Sequence, residues 1–456
     1  MDERPLIEAI KIHRSYPREK WHTPGHGDHP PFPDDWLAWG SDLTEVGDLA
    51  PRSDGGDPIH RSEQRMAESF GVRRTWYSVQ GASLPVTAAI LAATTATGKT
   101  RVVVERTAHR SALAAMVIGG LDPIWVYPKN TARGVSADDL VQTLKGSQEV
   151  GAVVLTRPTY EGIAEDIKPV IAEAHRKRIP VVVDEAHGTH WYGRIGYPTS
   201  ALTLDADLVA HGAHKTEPTL TQTGLLHLQG NLIPEASIDL WWRLLGTSSP
   251  SYLLLSSLDA YQALRRDVVW TTRWRELSES MRQVWHQFPH LDLLQRRLST
   301  ETGVEVDPAK LTVWGPPADT ARRILQWGWP EKVEPDGITL ILSPERPLTM
   351  VKSMLSTLPA SDSATRKRDP LPMPVRRLSP RAAVLRPAEA VSLGRAAGHI
   401  ARDAIVPYPP GIPVVQPGEV ISQEVLQWLA MWQDLNPGSI EGIYPDDQGG
   451  SVWVVT

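Results

Sequence analysis

The chain predicts an α/β fold, a mainly parallel sheet flanked by helices, with a smaller C-terminal α+β domain behind it. Three observations carry this expectation. The runs Val102–Val104, Val153–Leu155 and Val181–Val183 are short and apolar throughout, almost all β-branched, the texture of strands covered on both faces. Helical stretches alternate with them at the spacing of βαβ units. Beyond about residue 300 the elements shorten and the texture changes.

In chain order, residues 1–40 read as an arm rich in Pro, His and Trp that opens with a helix over 5–12. A large domain over 41–300 follows. Its helices are expected at 59–70, 84–96 (Ala-rich), 111–118, 137–144 and 167–177. Its strands are expected at 75–79, 101–105, 123–127, 152–156, 180–184 and 208–211. The small domain, 301–456, carries short segments at 310–314 and 337–342, and a Pro- and Arg-rich stretch over 359–380 reads as a solvated loop. In a mainly parallel sheet, ligands bind beyond the C-terminal ends of the strands, so polar residues just after each strand are the ones that matter.

Composition narrows the function. The 456 residues carry 47 basic and 53 acidic side chains, a net charge of −6. That argues against a nucleic-acid binder, which presents a strongly basic face. With no Cys there is no disulfide, thiolate metal site or cysteine nucleophile. No apolar run is long enough to span a membrane, and the start lacks a signal-peptide pattern, so a cytoplasmic protein is expected. The 17 Trp read as core and interface filling.

Two motifs mislead. Ala93–Thr100 lacks the first glycine of a P-loop, and here the helix precedes Gly98-Lys99 while the strand follows, the reverse of what phosphate binding needs. The pairs His22/His26, His187/His190 and His211/His214 suggest a metal. Pro and Gly break any helix between the first two, however, and the others lie in turns, so no metal is expected.

Four segments remain. Gln80-Gly81-Ala82-Ser83 opens a helix, where exposed N–H groups favour an anion. Asp184, in Asp184-Glu-Ala-His187-Gly188, ends a buried strand and needs a cationic partner, for which a protonated pyridine nitrogen would serve. In His211-Gly-Ala-His214-Lys215, a partly buried lysine becomes a nucleophilic amine. His109, after the strand 101–105, presents a ring able to stack on a flat ligand.

In order, His22-Thr-Pro-Gly-His26, Gly81-Ala-Ser, His109-Arg-Ser, Asp184-Glu-Ala-His-Gly188, His214-Lys215-Thr, Ser248-Ser-Pro-Ser-Tyr252 and Pro407-Tyr-Pro-Pro-Gly-Ile-Pro413 resemble the pyridoxal-phosphate-dependent ornithine/lysine/arginine decarboxylases of the aspartate-aminotransferase-like fold type I. The likeness is to the short bacterial form without an N-terminal wing. It implies decarboxylation of a basic amino acid to the amine and carbon dioxide, in a homodimer with active sites at the interface. Lys215 would carry pyridoxal 5′-phosphate through its amine, Asp184 would pair with the pyridine nitrogen, and His109 would stack on the ring. Gly81, Ala82 and Ser83 would hold the phosphate, with His214 beside it, and His187 would lie near the ring hydroxyl. Ser248 would reach the phosphate of the adjacent subunit, and Glu419 is a candidate for the substrate's distal cation.

The chain departs from the pattern at several points. Ala82 stands for a hydroxyl residue, Gly212 for Ser, Gly27 for a basic residue, Glu217 for Leu and Ser248 for Thr. Two of these changes, Ala82 and Gly212, remove side-chain donors expected on the phosphate. The same scaffold also supports another amino-acid lyase, an aminotransferase, or a catalytically weak homologue with a binding role.

Overall fold

The computed structural model describes residues 4–15, 42–50, 56–129, 134–314, 318–334, 337–346, 348–361, 372–408, 411–435, 440–447 and 449–456. The segment His22–His26 and residues 362–371 of the 359–380 stretch lie outside the described residues.

The large sheet is built from β1 (Arg74–Ser78), β2 (Arg101–Glu105), β3 (Asp122–Val126), β4 (Val150–Thr156), β6 (Val181–Asp184), β7 (Leu208–His211) and β8 (Gly224–Leu228), while β5 (Ile163–Glu165) lies apart from it. The strand order is β1-β8-β7-β6-β4-β2-β3. All neighbours pair in parallel except those of β8, which is antiparallel to both β1 and β7.

Side chains alternate across this sheet with period two. Val103, Val153, Val181, Val183 and Val209 enter one apolar cluster, and Val102, Val154, Val182, Leu208 and Ala210 enter another. The runs Val102–Val104, Val153–Leu155 and Val181–Val183 are apolar at every position because both faces of the sheet are covered. At about 25 cal/mol per Å2 of apolar surface removed from water, burial on both faces makes the sheet a large source of stability.

Most expected elements appear with ends shifted by one to three residues: the helices are Pro5–Ser15, Pro58–Ser69, Ser83–Thr97, Arg110–Gly119, Ala137–Gly146 and Lys168–Arg176. Strand β8 is an addition. Its core position is disguised by His227, which is fully buried and bonds Thr75 Oγ1 at 2.8 Å. The helices Glu235–Leu245, Tyr252–Leu264 and Val268–Gln287 are likewise additions.

After β9 (Val304–Val306), which pairs with β5, comes a three-stranded antiparallel sheet of β10 (Lys310–Trp314), β12 (Gly337–Ile341) and β11 (Lys332–Glu334), in that order. It packs into an apolar cluster with Trp191, Trp270, Trp274 and Trp285, which places several of the many tryptophans as core filling. A last cluster spans Ala396 to Val454. It is tied to the large sheet by Arg106, just past β2, which donates to the carbonyls of Pro413 at 2.6 Å and Val414 at 3.0 Å.

Candidate active site

The ends of β6 and β7 lie side by side, and the sequence at each end decides what stands there. After β6, the buried Asp184 accepts a bond from Ala186 N–H at 3.1 Å. After β7, Gly212 opens a four-residue helix, Ala213–Thr216, that carries His214 and Lys215. A Cβ at position 212 would stand 3.0 Å from the Ala186 carbonyl oxygen and 3.1 Å from Lys215 Cδ. The glycine thus lets this corner close against the turn after β6. The expectation that Gly212 costs the site a donor misses this packing role.

Glu185, next to Asp184, is fully buried and heavily committed. Its carboxylate accepts from Ser200 Oγ at 2.6 Å and Ala201 N–H at 2.7 Å, and bonds His211 Nε2 at 2.9 Å. His211 continues to His227 at 3.1 Å, and His227 to Thr75. This chain locks β6, β7, β8 and β1 in register beneath the site. His211 is therefore a structural histidine, and among the described residues no His/Asp/Glu cluster has metal-binding geometry. Glu217, in place of the usual apolar residue, is buried with Arg194 as its ion-pair partner and accepts from Trp270 Nε1 at 3.2 Å.

Lys215 Nζ bonds His187 Nε2 at 3.0 Å, and on the other side of the ring His187 Nδ1 bonds Lys310 Nζ at 2.8 Å. Burial drives the Lys215 ammonium below the ordinary lysine range, opposed by the charges of Asp184 and Glu331. Burial likewise pushes the Asp184 carboxyl up, opposed by Lys215. His187 is held well below its ordinary value by burial and by the two lysines. Lys310, fully buried, is lowered to about 8, again by burial first.

His109 caps the helix Arg110–Gly119, its Nδ1 accepting from Ser111 N–H at 3.2 Å. Burial and then the nearby Lys215 charge lower it to about 3, so the ring is neutral with its proton on Nε2. Gly411 of the Pro-Tyr-Pro-Pro-Gly segment lies against that ring at φ +85°, and a Cβ there would stand 3.0 Å from Cδ2 and Nε2. His214 donates from Nδ1 to the Thr223 carbonyl at 2.8 Å, and burial lowers its pKa as well.

The helix Ser83–Thr97 starts at Ala82 with no side-chain cap. Its first-turn N–H groups and the exposed Ser83 are thereby left to an anion. Gly81 makes the preceding turn at φ +63°, and its carbonyl oxygen lies where a Cβ on Gly224 would be, 2.4 Å away.

A cavity of about 490 Å3 opens onto His109, His214 and Lys215. It is lined by His109, Tyr160, His214 and Lys215 on the large-domain side and by Trp327, Glu331, Arg346 and Met350 from the small sheet and its surroundings. Asp184, His187, the turn 81–83, Ser248 and Glu419 do not line it. Ser248 is exposed in the loop before the helix Tyr252–Leu264. Glu419 is buried in an ion pair with Arg106 at 3.0 Å, accepts from Gln416 N–H at 2.8 Å, and is absent from the cavity lining.

Sequence reasoning missed Lys310, Glu331 and Tyr160, which belong to no motif. Strand alternation puts Lys310 on the same face as the buried Thr312, and a lysine at an inward position was the available signal.

The donor set fits pyridoxal phosphate. The buried strand-end carboxylate of Asp184 suits a pyridinium, the desolvated Lys215 amine suits an aldehyde, and the uncapped helix start suits a phosphate.

The model of the Orn/Lys/Arg decarboxylase major domain matches residues 4–302, and that of the Orn/Lys/Arg decarboxylase C-terminal domain matches residues 373–456. An arginine decarboxylase of Bacillus anthracis is 28% identical over 464 residues, spanning 94% of this chain and 92% of the relative. One of Bacillus subtilis (strain 168) is 27% identical, spanning 94% and 93%. Among solved structures, the constitutive lysine decarboxylase of E. coli superposes with a TM-score of 0.78 at 18% identity, over 99% of this chain and 82% of that one.

Proposed function

Because the chain belongs to the Orn/Lys/Arg decarboxylase family, a family of pyridoxal-phosphate enzymes acting on basic amino acids, we propose that the amino acid it decarboxylates is arginine. The observation that carries this reading is the cavity that holds both the Lys215 amine and the Glu331 carboxylate on its walls. A substrate with an α-amino group at one end and a guanidinium at the other needs that pair of groups. A planar guanidinium also suits a carboxylate flanked by aromatic surface, which Tyr160, Trp327 and Trp329 supply. The relatives named arginine decarboxylase, aligned along more than nine-tenths of the chain, support arginine over lysine or ornithine.

When bound, pyridoxal phosphate supplies a sink for the electron pair left as the Cα–carboxylate bond breaks. The residues supply the rest. In this reading Lys215 carries the cofactor, Asp184 keeps its pyridine nitrogen protonated, and His109 supports its ring. Gly81, Ala82 and Ser83 hold the phosphate. After carbon dioxide leaves, Cα needs a proton. His109 is a neutral ring held near pKa 3, and His214 keeps its one proton on the Thr223 carbonyl. We assign that donation to Lys215 as an ammonium.

We also infer a homodimer, in which the exposed Ser248 loop reaches a neighbouring subunit's phosphate, and a cytoplasmic location. Among the described residues no helix is long and apolar enough to cross a membrane. The test is to incubate the loaded protein separately with arginine, lysine and ornithine and measure carbon dioxide against a Lys215→Ala control. Release from arginine at least tenfold above the other two supports the reading. Preference for lysine or ornithine overturns the substrate, and no release from any overturns the reaction.

A further inference from the structure

Lys310 is a fully buried lysine on β10, and its amine bonds His187 rather than a carboxylate. The chain Lys310 Nζ–His187 Nδ1, 2.8 Å, and His187 Nε2–Lys215 Nζ, 3.0 Å, has a constraint built into it. A neutral imidazole carries one N–H and one lone pair. Two flanking ammonium groups cannot both donate to it, since one of them would face the ring's own proton. With Lys310 charged and donating to Nδ1, the ring proton sits on Nε2 and points at Lys215, which must then accept with a lone pair.

We propose that Lys310 is a positioning residue that fixes His187 as its Nε2–H tautomer and so holds Lys215 as a free amine, with a proton able to pass along the three groups. The transfer balances. Lys310 gives a proton to Nδ1 and Nε2–H gives one to Lys215, leaving Lys310 neutral, Lys215 an ammonium and the ring in its Nδ1–H form. This deepens the proposed role of Lys215. The free amine is the form that attacks an aldehyde, and the ammonium is the form that returns a proton to Cα.

Burial opposes the charge on both lysines, and carboxylates stand near each. Asp307, Glu331 and Glu161 face Lys310, whereas Lys215 is faced by Asp184 and Glu331. Of the other titratable groups about His187, the rings of His109 and His214 are held below their ordinary values by burial, and the Tyr160 phenol, its ring centroid 4.6 Å away, is pushed above its own by burial.

The test uses the full chain freed of cofactor, so that it reads the coupling whether or not arginine is the substrate. Acylation of Lys215 by acetic anhydride is followed against pH by peptide mass, and the His187 tautomer by 15N NMR. In Lys310→Met the labelling rate at neutral pH is expected to fall about tenfold, because the neighbouring charge is gone and the ring can accept from a Lys215 ammonium. Its His187 should move to the Nδ1–H tautomer. Lys310→Arg, which keeps the charge and the donor, should restore both readouts to near the wild-type values. Wild-type labelling in Lys310→Met, or a wild-type ring already in the Nδ1–H form, would overturn the proposal. The tautomer measurement and the arginine variant stand even if the methionine variant does not fold.

Discussion

The ring of His109 lies so close over Gly411 that a Cβ on the glycine would stand 3.0 Å from its Cδ2 and Nε2, tighter than ordinary van der Waals contact. Gly411 therefore backs the ring that is proposed to support the cofactor. Position 411 is doubly restricted, by that contact and by φ +85°. Gly411→Ala is expected to weaken pyridoxal-phosphate binding about tenfold with the fold intact. An absorbance titration of the cofactor-free chain, with circular dichroism as the control, measures this. Unchanged affinity would show that the ring is not held from behind.

Glu331 is the carboxylate on the cavity wall facing Lys215. Glu331→Gln keeps the size and the bond to Tyr160 Oη but removes the charge. Its KM for arginine is expected to rise at least tenfold, in line with the loss of a charge-assisted bond of about 1.5–3 kcal/mol, while cofactor affinity stays put. Steady-state kinetics with arginine and cofactor titration together check it.

Arg106 and Glu419 are exposed by only 3% and 1%, and their contact joins the large sheet to the C-terminal cluster. Removing one member leaves a buried charge unpaired, at a cost of about 3–5 kcal/mol. Arg106→Met is expected to lower the urea midpoint steeply. If Glu419 instead met substrate, Glu419→Gln would raise KM with little loss of stability, so urea melts and kinetics on both variants separate the two roles.

Glu105, at the end of β2, is buried, and burial raises its pKa to about 8. Unfolded, it returns to about 4.5, so between those values the folded chain binds the extra proton. Stability from this group is complete below about pH 4.5 and is lost as pH rises toward 8, with a slope approaching 1.4 kcal/mol per pH unit. Glu63 is raised to about 8 for the same reason. His109 acts in the opposite sense: its folded pKa of about 3 makes stability fall as pH drops below about 6.5. Glu105→Gln is expected to flatten the loss between pH 5 and 8 in denaturation midpoints. A variant with the wild-type slope would show that Glu105 is ionised in the fold.

What the sequence made legible was local. Asp184, His187, His214 and Lys215 each follow a strand whose apolar run announces it, and a short segment holds each in place. His109 was legible for the same reason. Strand β8 was not, because a buried His227 breaks its apolar pattern and its partner Thr75 is distant in sequence. The Arg106 partner of Glu419 was not legible, because a carboxylate after a motif looks available and only the fold brings Arg106 to it. Lys310 and Glu331 were invisible because their meaning depends on how the small sheet folds back over the large one. The packing role of Gly212 was not legible because a missing hydroxyl is plain in a sequence and a tight corner is not.

The hydrogen bond from β10 to His187 has a consequence for how this chain can be cut or recombined. A fragment ending at residue 302 would retain the strand ends, the anion-binding turn and the reactive lysine, yet would lack the second amine that sets that lysine's state of protonation. Exchanging the last third between relatives would therefore transplant reactivity along with selectivity, and chimeras should be judged on both.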